Sequence, residues 1–286
     1  MTWPLALIEE LAERRCIIFI GSGISASCKA KDDQSRNPPT WKDLLEKMSA
    51  CIKSEDDQRY AQGLIEKGQF LDAAEIINHC ITPADFSTVV QAEFLSPNFE
   101  HSVLHEYIMD IDPKILITTN YDKIYDSYCL QGEKSTSYVV CKYTETNIID
   151  CLRSKRRMVI KAHGCIDHPA KMVLTKSQYF EARRRYGNFY NILDALFLTN
   201  TLLFLGYSLL DPDIQLILES SNIAAESAHT HYALVPDGQH AAIKNAIAKS
   251  YNITFIEYKA DNYQKVEELL LELSKEVEAY RASFMS

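Results

Sequence analysis

The sequence lacks any apolar run of eighteen residues, the length that a helix needs to cross a bilayer. It also opens without a leader in which a positively charged segment precedes an apolar one. The apolar positions between Trp3 and Arg15 instead have the spacing of a short amphipathic helix. We therefore expect a cytoplasmic protein with no membrane association.

Closely paired cysteines are also lacking. The eight cysteines stand at positions 16, 28, 51, 80, 129, 141, 151 and 165, and no two of them are separated by two residues. Structural zinc sites typically use Cys-x-x-Cys pairs, so this spacing predicts no metal site. Scattered thiols in the cytoplasm are expected to be reduced and buried. Cys165, two residues after His163, fits either a nucleophile or a buried spectator.

Basic residues are fewer than acidic residues, with 30 Lys and Arg against 39 Asp and Glu. The formal net charge is −9 and the pI is near 5.4. Because nucleic-acid binding depends on clustered Lys and Arg, we expect no direct binding of nucleic acid. Two basic clusters, residues 153–157 and 183–185, stand against this background. Each fits a solvated face or a partner surface.

The most informative segment that is present runs from an apolar strand into a glycine turn, Gly21-Ser22-Gly23-Ile24-Ser25-Ala26. Gly21 permits a tight turn, and Gly23 lets the backbone approach a pyrophosphate closely. Free N–H groups of a following helix favour an anion. Taken alone, the pattern also fits an ordinary turn.

Strands alternate with helices along the chain, which predicts an α/β fold, a Rossmann-like parallel sheet with helices on both faces. The predicted strands lie near residues 16–20, 115–118, 137–140, 157–161, 201–205, 231–235 and 253–256. We divide the single domain into a nucleotide-binding core of residues 1–40 and 110–286 and a helical insertion of residues 41–109. Breaks between the insertion's helices are expected at Gly63, Gly68, Pro83 and Pro97. The polar stretch 29–39 is predicted to be a mobile loop over the nucleotide.

Three later strands also end in segments that carry chemistry. Asn120 follows the apolar run 115–117, and its amide can donate to a ribose hydroxyl and accept from a water; alternatively it caps the helix opening at Asp122. His163 follows the apolar run 158–160, where a neutral imidazole can accept a proton. Gly206 and Ser208 follow another such run, at positions suited to a phosphate or an adenosine ribose.

These segments, in this order, resemble the sirtuin superfamily. The resemblance rests on Gly21-Ser22-Gly23-Ile24-Ser25, Thr118-Thr119-Asn120-Tyr121-Asp122, Lys161-Ala162-His163-Gly164 and Gly206-Tyr207-Ser208-Leu209-Leu210-Asp211. It implies a binding site for NAD+ as substrate, with Gly21, Ser22, Gly23, Ile24, Thr119, Asp122, Gly206 and Ser208 as binding residues. It further implies that Asn120 and His163 are catalytic. Asp211 fits a helix cap better than a ligand.

The chain departs from the protein-deacylating sirtuins after His163. No zinc ribbon follows; residues 165–200 have helical apolar spacing and predict a helical module in its place. The residues after the glycine turn also differ, since Pro38-Pro39-Thr40-Trp41 leads into Leu44-Leu45. This form resembles the sirtuin-like (SIR2-like) NADase domains of bacterial antiphage defence, as in Sir2–HerA type systems.

The resemblance implies an NAD+ glycohydrolase that releases nicotinamide and ADP-ribose and acts in abortive infection by depleting NAD+. It also implies restraint by an assembly, with a ring-like homo-oligomer and a HerA-type hexameric ATPase as the expected partners. The insertion and the N-terminal helix are the expected oligomer surfaces. Two alternatives stay open: an NAD-dependent protein deacylase, and a non-catalytic subunit that senses NAD or ADP-ribose.

Overall fold

The computed structural model of the protein describes residues 3–131, 136–207, 209, 214–215, 217–218 and 230–285. Ser208 and Asp211, to which the sequence analysis gives roles, lie outside these residues. The strands are β1 Cys16–Ile20, β2 Ile115–Thr118, β3 Tyr138–Lys142, β4 Arg157–Lys161, β5 Thr201–Leu205, β6 His231–Pro236 and β7 Ile253–Tyr258.

The described helices, α1 to α13, are Leu5–Ala12, Ser22–Ser25, Trp41–Ser49, Glu55–Glu66, Phe70–Cys80, Pro83–Val90, Val103–Ile111, Ile124–Cys129, Ile148–Arg153, Lys176–Arg185, Gly187–Thr199, Ala241–Tyr251 and Gln264–Met285. A π-helical turn, Gln91–Leu95, extends α6. None of the helices in the described ranges is long and apolar enough to cross a membrane.

The seven strands form one parallel sheet in the order β3-β4-β2-β1-β5-β6-β7. The predicted parallel α/β fold is confirmed. Every residue of β1, β2 and β5 is buried, as expected of central strands covered on both faces. The chain leaves β1 toward β2 on one side and later returns to its other side as β5. In such folds ligands bind where the winding reverses, at the carboxyl ends of the strands.

Side chains alternate between the two faces of the sheet and join two cores. Ile18 and Ile20 pack in one core with helices α1, α7 and α13, while Ile17 and Phe19 pack in the other with α10 and α11. The apolar side of α1 packs against the rest of the chain, because Leu7 and Leu11 lie in the first core. What remains of α1 for an oligomer contact is its outer side.

A third core joins the helices of the insertion to the chain after His163. Leu44, Leu45 and Ile77 pack there with Cys165 and Leu174. Helix α10 follows Leu174, and its Ser177 amide donates to Glu75 Oε1 at 2.5 Å. The insertion thus lies beside the carboxyl edge of β4. The boundaries assigned to the insertion and to the module 165–200 stay predictions.

One predicted break in the insertion is wrong. Gly63 lies inside α4, whereas Gly68 lies between α4 and α5 with φ +73°, and Pro83 opens α6. A single glycine costs a helix only about 1 kcal/mol. In α4 this cost is offset by a cap at Ser54 and by the burial of Ala61 and Ile65.

Candidate functional site

Four strands end in register at the carboxyl edge of the sheet. Lys161 of β4 pairs with Thr118 of β2, Thr118 pairs with Ile20 of β1, and Ile20 pairs with Leu205 of β5. Each of the four segments singled out in the sequence continues from one of these strand ends. The fold therefore brings those segments side by side, with Asn120 and His163 each two residues beyond a paired position.

Hydrogen bonds continue this register past the strand ends. The amide of Ala162 donates to Thr118 O at 2.9 Å, and the Thr118 hydroxyl donates to Ile20 O at 2.9 Å. The amide of Gly21 donates to Leu205 O at 3.0 Å. The glycine turn and the segments that carry Asn120 and His163 are thus tied to one edge.

The glycine turn packs directly against Gly206. A Cβ on Gly21 would lie 2.4 Å from Gly206 O, and a Cβ on Gly23 would lie 2.9 Å from Gly206 Cα. Gly206 itself has φ +59°, and a Cβ there would lie 2.5 Å from the nitrogen of Ile24. All three positions need glycine because the two loops touch through their backbones.

The helix after the glycine turn is a single turn, Ser22–Ser25. The amide of Gly23 donates to Gly206 O at 2.9 Å, and that of Ile24 donates to Gly21 O at 3.1 Å. These donors are engaged within the loops, so the attraction that a long helix would exert on a phosphate is weaker than the sequence pattern suggests. Ser22 and Gly23 retain solvent exposure, which keeps their backbone accessible.

Asn120, Ser25 and Asp122 form a hydrogen-bonded chain. Asn120 Nδ2 donates to Ser25 Oγ at 3.0 Å, and Ser25 Oγ donates to Asp122 Oδ2 at 2.8 Å. Helix α8 opens at Ile124, whose amide donates to Asp122 Oδ1 at 3.0 Å. The N-cap residue of α8 is Lys123, and the side chain that bonds the first turn is that of the preceding Asp122, whereas the amide group of Asn120 is directed toward the glycine turn.

The backbone of this loop is held as well. The amide of Asn120 donates to the hydroxyl of Thr118 at 3.0 Å. Thr119 and Asn120 are half-buried, whereas Asp122 is buried. Asn120 is thus positioned at both its backbone and its side chain while keeping access to solvent.

His163 lies in a buried position, with 3% of its surface exposed. Its Nδ1 lies 3.3 Å from the hydroxyl of Tyr179 on α10, and the two rings meet edge to face. Gly164 follows with φ +88°, and a Cβ there would lie 2.4 Å from Lys171 O. The turn that places the imidazole therefore requires glycine.

Two residues to which the sequence assigned no role, Lys161 and Asp126, lie beneath this site. The Lys161 ammonium is buried at the end of β4, where it donates to the carbonyl of Asp122 and lies 3.5 Å from Asp126 Oδ1. Burial lowers the pKa of Lys161, but Asp126, Cys165 and Asp122 outweigh it and raise that pKa above its ordinary value. A lysine that closes a run of buried strand residues is the sequence signal that could have revealed it.

His105 is a third buried titratable group that the sequence did not single out. Its Nδ1 lies 3.0 Å from Ser102 Oγ and 3.8 Å from Cys28 Sγ, and its Nε2 is buried without a hydrogen-bond partner. Burial lowers its pKa to about 4, although Asp122 opposes that shift. His105 is thus a neutral imidazole packed beneath the loops of the site.

A cavity of about 710 Å³ lies at the opposite, amino edge of the sheet. Three of its charged groups stabilise the fold: Arg157 pairs with Asp112 at 2.6 Å, and Arg281 donates to Leu11 O at 2.9 Å. Arg157 belongs to one of the basic clusters, and in the other Arg183 lies 4.9 Å from the ring of Tyr190. These contacts involve one arginine of each cluster, and both alternatives for the clusters, a solvated face and a partner surface, stay predictions.

No group of His, Cys, Asp or Glu side chains in the described part of the chain could hold a metal ion. Between Gly164 and β5 the chain forms the helices α10 and α11.

Comparison with known proteins shows to which family this chain is related. A model described as a SIR2-like domain matches residues 114–256, half of the chain. NAD(+) hydrolase ThsA of Acinetobacter baumannii (strain 532279) is 25% identical over 248 residues, which cover 86% of this chain and 48% of that protein. NAD(+) hydrolase ThsA of Bacillus cereus (strain MSX-D12) is 24% identical over 285 residues, which cover 94% of this chain and 56% of that protein.

Defense-associated sirtuin 2 of Bacillus subtilis is 22% identical over 218 residues, which cover 74% of this chain and 20% of that protein. The chain spans about half the length of the two ThsA relatives. The matched range 114–256 contains three of the four strand ends of the site, those that carry Asn120, His163 and Gly206. The chain belongs to the SIR2-like domain family.

Proposed function

We propose that this chain hydrolyses NAD+ to nicotinamide and ADP-ribose at the carboxyl edge of β1, β2, β4 and β5. The observation that carries the proposal is the shared register of the four strand ends, which places Asn120 and His163 on neighbouring loops beside the glycine turn. The similarity to two proteins named NAD(+) hydrolase supports the same chemistry.

In the proposed reaction, water attacks the anomeric carbon of the nicotinamide ribose. The N-glycosidic bond breaks, its electron pair goes to the positively charged pyridinium ring, and neutral nicotinamide leaves. The water loses one proton as its oxygen becomes the anomeric hydroxyl of ADP-ribose. The transition state resembles an oxocarbenium ion, so the protein must orient the sugar and the water and accept a proton.

The residues divide these tasks by position. The half-buried amide of Asn120, fixed by Ser25, orients the ribose and the attacking water. His163 accepts the proton. Because His163 is 3% exposed, water and ribose reach it only when neighbouring side chains move. The accessible backbone of Ser22 and Gly23 binds the pyrophosphate.

The protein is further proposed to act in antiphage defence by depleting NAD+. The name of the Bacillus subtilis relative supports a role in defence. We further propose that the chain forms a ring-like homo-oligomer that binds a HerA-type ATPase. This part of the proposal rests only on the resemblance of the four motifs. Light scattering of the purified chain, with and without such an ATPase, tests that part by itself.

The activity is tested by incubating the purified chain with NAD+ and following nicotinamide and ADP-ribose by chromatography. Asn120→Ala and His163→Ala are expected to lower nicotinamide release by at least about 100-fold. The matched controls are Asn188→Ala and His168→Ala, which change exposed residues of the same types and are expected to retain activity.

Intact NAD+ under every condition, including the presence of the ATPase, would overturn the proposal and favour a sensor that binds without cleaving. Formation of O-acetyl-ADP-ribose from an acetylated peptide would instead show a deacylase. Full activity in both the Asn120 and the His163 variants would remove the assigned roles even if NAD+ is consumed.

A further inference from the structure

Lys161 is a buried charge at a position where the fold alone does not require one. Its side chain is 1% exposed at the end of β4, after the apolar residues Met158, Val159 and Ile160. Its nearby carboxylate belongs to Asp126 on α8, which is 5% exposed.

Burying two charges is costly, and their mutual attraction often does no more than offset the loss of hydration. Replacing a buried ion pair by apolar side chains of similar volume is often neutral or stabilising. A methionine at position 161 would continue the apolar strand at nearly the same volume. The presence of the pair is therefore better explained by what Lys161 holds than by the stability of the sheet.

Lys161 holds the loop that carries Asn120. Its ammonium donates to the main-chain carbonyl of Asp122, and the carboxylate of the same Asp122 accepts from Ser25 Oγ at 2.8 Å. Ser25 Oγ in turn accepts from Asn120 Nδ2 at 3.0 Å. The hydrogen-bonded chain thus runs from β4 through the loop of β2 to the glycine turn.

The same strand carries His163, two residues beyond Lys161. One strand end therefore presents the proposed base and fixes the loop of the proposed water-orienting residue. We propose that Lys161, with Asp126 as its counter-ion, is a positioning residue that sets the distance between Asn120 and His163. The inference rests on the proposed NAD+ hydrolysis.

The test replaces the pair as a whole. Lys161→Met combined with Asp126→Ala removes both charges, so that no buried charge is left without a partner. Because Asp122 keeps its bonds to Ser25 and Ile124, the ribose site persists and the loop shifts only relative to His163. We expect kcat for NAD+ to fall at least about 10-fold, KM to change less than about 3-fold and the melting temperature to stay within a few degrees of wild type.

The control is the ion pair between Lys244 of α12 and Glu257 of the edge strand β7, whose charged atoms lie 2.8 Å apart. Lys244→Met with Glu257→Ala is expected to leave kcat unchanged. Lys161→Met combined with Asp126→Asn serves as a second variant that keeps the volume at both positions and leaves neither charge, in case the first double variant fails to fold. It also removes the bond from Lys161 to Asp122, so the same fall in kcat, at least about 10-fold, is expected.

Hydrogen–deuterium exchange of residues 119–126 gives a readout that needs no turnover. Faster exchange there, with strand 115–118 still protected, is expected in the Lys161→Met, Asp126→Ala variant. Wild-type kcat and wild-type exchange in the folded variants would overturn the positioning role. If wild-type protein cleaves no NAD+, the proposed function fails, whereas unchanged exchange overturns this inference independently.

Discussion

The hydroxyl of Tyr179 lies 3.3 Å from Nδ1 of His163, and the two ring centroids are 4.9 Å apart. The contact joins helix α10, from the stretch predicted to replace a zinc ribbon, to the proposed catalytic base. A hydrogen bond to one imidazole nitrogen determines which nitrogen carries the proton and fixes the orientation of the ring. Helix α10 therefore contacts the proposed catalytic base directly.

Removing this hydroxyl should slow the reaction without unfolding the protein. Tyr179→Phe keeps the ring against His163 and deletes the hydrogen bond, so we expect kcat for NAD+ to fall about 10-fold with little change in melting temperature. Tyr60→Phe, at a residue that is 63% exposed, is the control. A Tyr179→Phe variant as active as that control would show that the contact serves packing alone.

Gly206 should be much less tolerant of alanine than another glycine with positive φ. Gly206→Ala and Gly238→Ala both force alanine into a left-handed conformation, which costs about 1–2 kcal/mol. Only at Gly206 does the new methyl group meet backbone, 2.5 Å from the nitrogen of Ile24; at Gly238 nothing lies within 4 Å. Urea unfolding should therefore show an additional loss of about 1–3 kcal/mol for Gly206→Ala. Equal losses in the two variants would contradict the close contact of the two loops.

The pH dependence of stability should include a contribution from Asp167. Partial burial alone would raise its pKa, but hydrogen bonds and charge from Lys123 and Lys142 lower it to about 2. A carboxylate with a depressed folded-state pKa contributes stability above its unfolded pKa near 4, and that contribution is lost as the pH falls toward 2.

Asp167→Asn tests this dependence. The ion pairs are partly exposed, so screening reduces their effect to about 0.5 kcal/mol, or about 1–2 °C in melting temperature at pH 6. The difference between wild type and variant should vanish as the pH approaches 2. A difference that is constant between pH 6 and pH 2 would exclude the ion pairs as its source.

Thiol reactivity should separate the two interpretations of Cys165. Burial raises the pKa of Cys165, although Lys161 opposes this shift, and burial raises that of Cys28 to about 12. Iodoacetamide at pH 8 is expected to modify the part-exposed Cys51 before either of them, as peptide mapping would show. Cys165→Ala should keep NAD+ cleavage within about 2-fold of wild type. Loss of activity in that variant would revive the nucleophile alternative.

The central strands could be predicted because each carries its own signal. In β1, β2 and β5 every side chain is buried, so each strand is a continuous apolar run that ends at glycine or a polar residue. The prediction of β3 was less accurate, because the predicted strand covers residues 137–140 and the observed strand is Tyr138–Lys142. Its burial is mixed, as expected for a strand at the edge of the sheet.

Local signals failed where tertiary packing outweighed them. Gly63 indicated a break, yet capping and buried contacts carry α4 through it. The glycine turn indicated a following helix with free N–H groups, but α2 is a single turn and the amide of Gly23 donates to the carbonyl of Gly206. Neither outcome is encoded within the segment itself.

The sequence by itself determined the strands, their parallel arrangement and the four segments that follow strand ends, because apolar periodicity and glycine turns act over a few residues. Tertiary structure alone decided which side chains meet. Asn120 bonds to Ser25, 95 residues earlier in the chain, and Lys161 bonds to the Asp122 carbonyl across 39 residues. Such contacts depend on the order and register of the strands, which are fixed only when both faces of the sheet are packed.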